Sequence, residues 1–279
     1  MKPRRLTFLA AGLPAHAAGA QRVARRFLDD VRAAFAAAAV AADAAPMQAY
    51  MRSAMPFHGV KKPARMAALK PLWASHRCLD WRALETVVRE SWDGATHREE
   101  RYAVLDLLEW PAHRRLQSPE ALPCFEHLIV SGAWWDFVDD VAGKKVCRVW
   151  LGAPEATAPT LRRWMRAEDR WLRRSAILAQ LRAKERTDPA LLTASIEAAM
   201  HDQDFFLRKA IGWALRQRRR RVGGRPSRRR RDPHRRPRPR AGSPRRAAAN
   251  ALGTGAHARA GRRDGAAPGV AAAAREGPR

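Results

Sequence analysis

Between residues 22 and 217 no stretch alternates apolar with polar residues; apolar side chains recur instead at intervals of three and four. That spacing belongs to one face of an α-helix and excludes half-buried β-strands, so the fold class is all-α. It predicts helices over 22–42, 46–54, 62–75, 80–92, 96–109, 118–130, 134–149, 155–166, 168–184, 188–200 and 203–217. Helix-start signals separate them, with Pro119 in "SPEAL" and Pro189 in "DPALL" at first-turn positions. From residue 80 onward the predicted helices pair at roughly 32 to 38 residues. A repeat of that length favours a HEAT-like α-solenoid of stacked antiparallel helix pairs over an irregular all-α globule.

Composition sets the limits of that core. All ten tryptophans lie before residue 214, with every Phe, Tyr, Ile and Met. The region from Arg218 to Arg279 holds twenty arginines, no lysine, three acids, one Leu and two Val. It cannot bury enough apolar area to offset its ordering entropy, so 218–279 is expected to be a disordered Arg/Ala/Pro/Gly-rich tail. Arginine without lysine also fits a shifted reading frame in a GC-rich gene. The solenoid domain is therefore expected over 22–217. The opening "MKPRRLTFLAAGLPAHAAGA" imitates a signal peptide, but Pro14 and His16 break its short apolar run. Residues 1–21 are accordingly read as a non-native or disordered extension.

The formal charge is +27, and +10 of it belongs to residues 1–217. A surplus of that size points to a polyanion as partner, with nucleic acid expected. Cys78, Cys124 and Cys147 have no metal-ligand spacing and read as buried or free thiols. With no Gly-rich phosphate loop either, no metal and no organic cofactor are expected. No apolar run is long enough for a membrane span.

Against that positive background "SGAWWDFVDDVAGKKVC" (131–147) places three aspartates in one helix. On a wheel of about 100° per residue Phe137, Val138 and Val141 share the side of Trp134 and form the inward stripe. Asp136 and Asp140 fall opposite and are expected on a solvated face. Trp135 and Asp139 stack one turn apart at the border of the stripe. In "RWLRRSAILAQL" Arg174 falls within the apolar face, where a guanidinium needs a carboxylate or phosphate partner. In "DFFLRKAIGWALR" Trp213 adjoins Lys209, at the edge of a basic arc with Arg208 and Arg216. Gly212, in mid-helix, points to close packing by another helix or approach by DNA.

Four segments in register resemble the bacterial DNA alkylation repair family of the AlkD type, the HEAT-repeat alkylpurine DNA glycosylases. They are "MQAYMRSAMPFHGV" (47–60), "LIVSGAWWDFVDDV" (128–141), "WLRRSAILAQLRAKERTD" (171–188) and "DFFLRKAIGWALR" (204–216). The resemblance runs over about 22–217. It implies Asp139 as the catalytic carboxylate and Trp135, Trp213 and Arg174 as site residues. It also sets Tyr50 near the same concavity, and Lys209 and Arg208 among the DNA-binding cations. The implied reaction is hydrolysis of the N-glycosidic bond of cationic N3- or N7-alkylated purines in duplex DNA, by a monomer in the cytoplasm and associated with the nucleoid. The departure is the tail. The family closes with a further repeat carrying a Ser-Arg-Arg-Glu-like stretch, and "RAAAN" (246–250) can encode that tetrapeptide in another frame. A frameshifted last repeat, leaving an inactive member, is thus one alternative. A non-catalytic DNA-binding or protein-scaffold module is another.

Overall fold

The computed structural model describes residues 15–222, all within one compact unit. The described residues are helical, without strands. In order they form α1 (Ala15–Ala38), α2 (Ala41–Met51), α3 (Lys62–Leu69), α4 (Trp81–Asp93), α5 (Arg98–Glu109), α6 (Pro111–Arg114), α7 (Leu122–Gly132), α8 (Trp135–Asp140), α9 (Cys147–Gly152), α10 (Pro154–Trp164), α11 (Arg170–Leu178), α12 (Pro189–Glu197) and α13 (Phe205–Val222). A π-helical segment, Val141–Val146, joins α8 to α9.

These helices stack in two layers, as expected of an α-solenoid. α4 packs on α1 and α7, and α10 on α12, which makes one layer. The second layer runs from α3 through α5, the α8–π–α9 helix and α11 to α13. α4 shows why the pairs form: Trp81, Leu84, Val87, Val88, Ser91 and Trp92 are buried at helical spacing on one face. Aspartates start the helices by accepting backbone N–H bonds. Asp80 caps α4 and Asp169 caps α11, while Asp188 and Asp204 do the same for α12 and α13. The main core runs from Ala24 to Leu191; a smaller one that includes Ile177, Leu178, Leu192, Leu207 and Ala210 holds the last pair. The three cysteines are free and buried.

Boundaries differ from the sequence reading at several points; α11, for one, ends at Leu178 rather than 184. α1 starts at Ala15, inside the expected extension 1–21, because the alanine-rich run before residue 22 favours helix. α13 continues past 217 to Val222, since arginine is a good helix former and the first breakers are Gly223 and Gly224. Pro46 lies inside α2 rather than at a helix start. Residues 1–14 and the tail from 223 lie outside the described residues. Among the described residues no helix is long and apolar enough to cross a membrane.

Candidate functional site

Asp139 sits on α8 and Arg174 on α11, and the two side chains meet face to face. Arg174 donates from Nε to Asp139 Oδ1 at 2.7 Å and from Nη2 to Oδ2 at 2.8 Å. Its Nη1 donates to the Phe206 carbonyl in the first turn of α13. The guanidinium is only 5% exposed, so the partner its apolar setting requires is a carboxylate, held in bidentate geometry. One arginine thus ties three successive second-layer helices together.

Burial pushes the Asp139 carboxyl above its ordinary value, the Arg174 bonds and charge oppose that, and the negative charges of Asp136 and Asp140 add to the rise. An acid in this setting gives up its proton less readily than a surface aspartate.

The two neighbouring acids are not on a solvated face. Asp136 accepts from Arg98 Nη2 at 2.6 Å and from the Tyr102 hydroxyl at 2.5 Å. Arg98, also 5% exposed, reaches further, from Nη1 to Ser53 Oγ at 3.3 Å. Asp140 is bracketed by Lys144 and Lys145, and Lys145 is 0% exposed. The π turn makes that double contact possible: it brings the residue five positions on to the place normally held by the residue four on. A single-helix wheel fails here because α8–π–α9 has α5 on one side and α11 on the other, so its polar edge faces protein.

Trp134 also departs from expectation. It precedes the helix in extended conformation, as the N-cap of α8. Its ring packs against Trp171 and Phe206 at centroid distances of 6.2 and 5.7 Å. Trp171 and Phe206 in turn lie 4.9 Å apart. This aromatic cluster sets the start of α8 against α11 and α13, beside the Asp139–Arg174 pair.

Trp135 stands one turn before Asp139 on α8, half-buried against the main core. Trp213 is 36% exposed on α13, seven residues, about 10 Å of helix, beyond Phe206. Lys209 lies with Nζ 5.2 Å from the Phe205 ring centroid. Arg208 and Lys209 line a hollow of about 360 Å³ with Gln203 and Phe205. Tyr50 is 78% exposed near the end of α2. That end is linked to α8 through Ser53, Arg98 and Asp136. Gly212 is not a packing contact: a Cβ there would meet only Arg216, on its own helix, at 3.2 Å.

Sequence reasoning missed Arg98, Tyr102 and Asp136. Their signal is the i, i+4 pair Arg98/Tyr102, two donors on one face, which becomes legible only once α8 supplies the acceptor. It also missed one grouping of metal-ligand types, His58, His97 and Glu100, whose ligand atoms lie within 4.8 Å. Glu100 already accepts from Arg32 and from the Thr96 backbone N–H, and its Oε1 lies 3.1 Å from His58 Nε2. The group is therefore an ion cluster with its carboxylate oxygens engaged.

Comparison with known proteins gives one consistent result. A family model described as "DNA alkylation repair enzyme" matches residues 31–221. A solved structure described as a predicted DNA alkylation repair enzyme from Enterococcus faecalis is similar with a TM-score of 0.59 and 30% sequence identity, covering 66% of this chain and 84% of that chain. No curated protein matches the chain.

Proposed function

This chain belongs to the DNA alkylation repair enzyme family, and from that premise we propose that it is a DNA glycosylase for cationic N3- and N7-alkylpurines in duplex DNA. Membership supplies DNA repair as the role and DNA as the partner. The reaction is read from the site, and the observation that carries it is a half-buried carboxylate, Asp139, kept ionised by Arg174 in a setting that raises its proton affinity.

Alkylation at N3 or N7 gives the purine a positive charge and makes it a good leaving group. The C1′–N bond breaks with its electron pair going to the base, which neutralises that charge. The sugar becomes oxocarbenium-like, as in glycoside hydrolysis. A water oxygen then bonds to C1′, and its proton passes to Asp139 or to solvent. Asp139 stabilises the sugar cation electrostatically and orients the water. Trp135 and Trp213 present ring faces to the cationic nucleotide, worth about 0.5–2 kcal/mol. Arg174 holds the acid in its anionic form and turns it toward the reaction. Arg174 Nη1 and Nη2 each carry a second N–H beyond those given to Phe206 and Asp139, so a backbone phosphate could be contacted with the pair intact. Lys209 and Arg208 contribute salt-dependent, sequence-independent affinity.

The same bidentate pair supports one competing reading, a structural ion bridge in a non-catalytic DNA-binding module. Release of methylated purines from duplex DNA by the purified protein separates the two. The glycosylase reading expects measurable release, a drop of at least about 100-fold for Asp139→Asn, and a smaller drop for Trp213→Ala. Release that is absent from the wild type, or unchanged in Asp139→Asn, leaves the structural bridge.

A further inference from the structure

The second layer of helices carries another concentration of charge, beyond the C-terminal ends of α8 and α11, which hold Asp139 and Arg174. Arg114, Lys144, Arg148, Arg182 and Arg186 line one hollow of about 490 Å³ with Glu109. A second hollow of about 350 Å³, which shares Arg114 and Arg148 and adds Arg115, continues it. These cations come from α6, from the π–α9 helix and from the chain after α11, so three successive repeats contribute.

Internal ion pairing does not account for them. Glu109, the one carboxylate on the wall, is bonded by Arg148 at 2.8 and 2.9 Å and lies 3.5 Å from Lys145. Asp140 is held between Lys144 and Lys145. The Cys147 thiol, also on the wall, is pushed up by burial and adds no negative charge. Counting the wall with Asp140 and Lys145, six cations face two carboxylates. Cations at helix C-termini are favoured by the helix dipole, but that effect explains single residues, not a convergence from three hairpins.

We propose that this hollow grips phosphates of the DNA backbone away from the damaged nucleoside. The proposal rests on the reading of the chain as a DNA-acting repair protein and adds a second point of attachment to it. Four of the five cations on the main wall are arginines, whose planar forks match phosphate oxygens bidentately. The wall carries no aromatic ring on which a base could stack, which favours a phosphate backbone over a free nucleotide. Arg148 lies nine residues beyond Asp139 on the continuous α8–π–α9 helix, about 13 Å along it, a distance comparable with the roughly 12 Å width of the B-form major groove.

The test uses the full chain and the double variants R114E/R182E and R114Q/R182Q, which leave Arg148 and Lys144 in their structural pairs. Binding of an undamaged fluorescent duplex is titrated over a range of salt, and thermal melting checks folding. The expected result is an affinity at least about tenfold weaker at low salt and a log–log salt slope shallower by about two. Single-turnover base release at saturating protein is expected to stay unchanged. An unaltered affinity and slope in folded R114Q/R182Q overturns the proposal. So does competition of the duplex by micromolar inorganic pyrophosphate, which would assign the hollow to a small polyphosphate. A wild type that binds the duplex but releases no base overturns the glycosylase reading alone, and the titration still decides the hollow.

Discussion

Asp139 and Arg174 illustrate how strongly one pair can be coupled to both stability and chemistry. Arg174→Met leaves a carboxylate without its bidentate partner in a mostly buried site, and is expected to cost about 3–5 kcal/mol in urea unfolding. Asp139→Asn/Arg174→Met, which removes both charges, is expected to recover part of that loss. The acid limb of the base-release profile reports Asp139 directly. Its carboxyl lies above the ordinary value of 3.8, and the anion is the active form, so activity falls with decreasing pH at a midpoint above 3.8. Three charged groups face it: Arg174, Asp136 and Asp140. Asp136 is offset by Arg98, and Asp140 by Lys144 and Lys145. Arg98→Met therefore exposes Asp139 to the full charge of Asp136 and is expected to move the acid limb upward. An unchanged midpoint in a folded Arg98→Met protein would limit Arg98 to a structural role.

At the scale of elements the segment 53–60 shows how a loop is fixed without secondary structure of its own. The Glu99 carboxylate accepts the backbone N–H groups of His58, Gly59 and Val60 at 2.9–3.1 Å. Gly59 has φ +82°, and a Cβ there would lie 2.2 Å from the Val40 carbonyl. Gly59→Ala is thus expected to destabilise by at least about 2 kcal/mol in thermal or urea unfolding, through strain and overpacking together. Gly212→Ala is the opposite case. Its added methyl meets only the mobile end of Arg216, so a gain of roughly 0.5–1 kcal/mol is expected. A stabilised Gly212→Ala protein with weakened duplex binding would place DNA against that backbone. Glu100 anchors the same loop from the other side. Burial alone would raise its carboxyl, but bonds from His58, Arg32 and the Thr96 N–H, with the Arg32 charge, hold it at about 2. Its folded value lies below the ordinary 4.5, so its contribution is complete above about pH 4.5 and is lost as pH falls toward 2. Glu100→Gln should flatten the acid-unfolding curve across that window.

For the molecule as a whole, a stack of helix pairs makes stability local. Each pair is held by its neighbours, and a terminal pair has only one. α12 and α13 rest on the smaller core, while α4, α5 and α7 lie in the larger one. Hydrogen exchange is therefore expected to be faster in α12–α13 than in α4–α7, and to slow in α13 when duplex DNA is bound. Equal protection in both regions would argue against this stepwise stability. Charge also acts at this scale. Part of the +10 of residues 1–217 is collected by the second layer into the α13 arc and the hollow around Arg148.

The order and nature of the helices are local properties. Period-3.6 spacing, aspartate caps and helix-start prolines act within a few residues of sequence, so every expected helix has its counterpart in the fold. The inward placement of Arg174 was legible for the same reason, because one wheel shows one buried face. The roles of Asp136 and Asp140 were not, because a helix packed on two sides has no solvated face to assign them. Their counter-ions, Arg98 and Lys145, are set by contact between repeats and by one π turn. Pairing of Asp139 with Arg174 joins residues 35 apart in sequence. Such a distance is closed by the stacking of hairpins, since only the finished layer brings an acid and a base from different helices into one desolvated space.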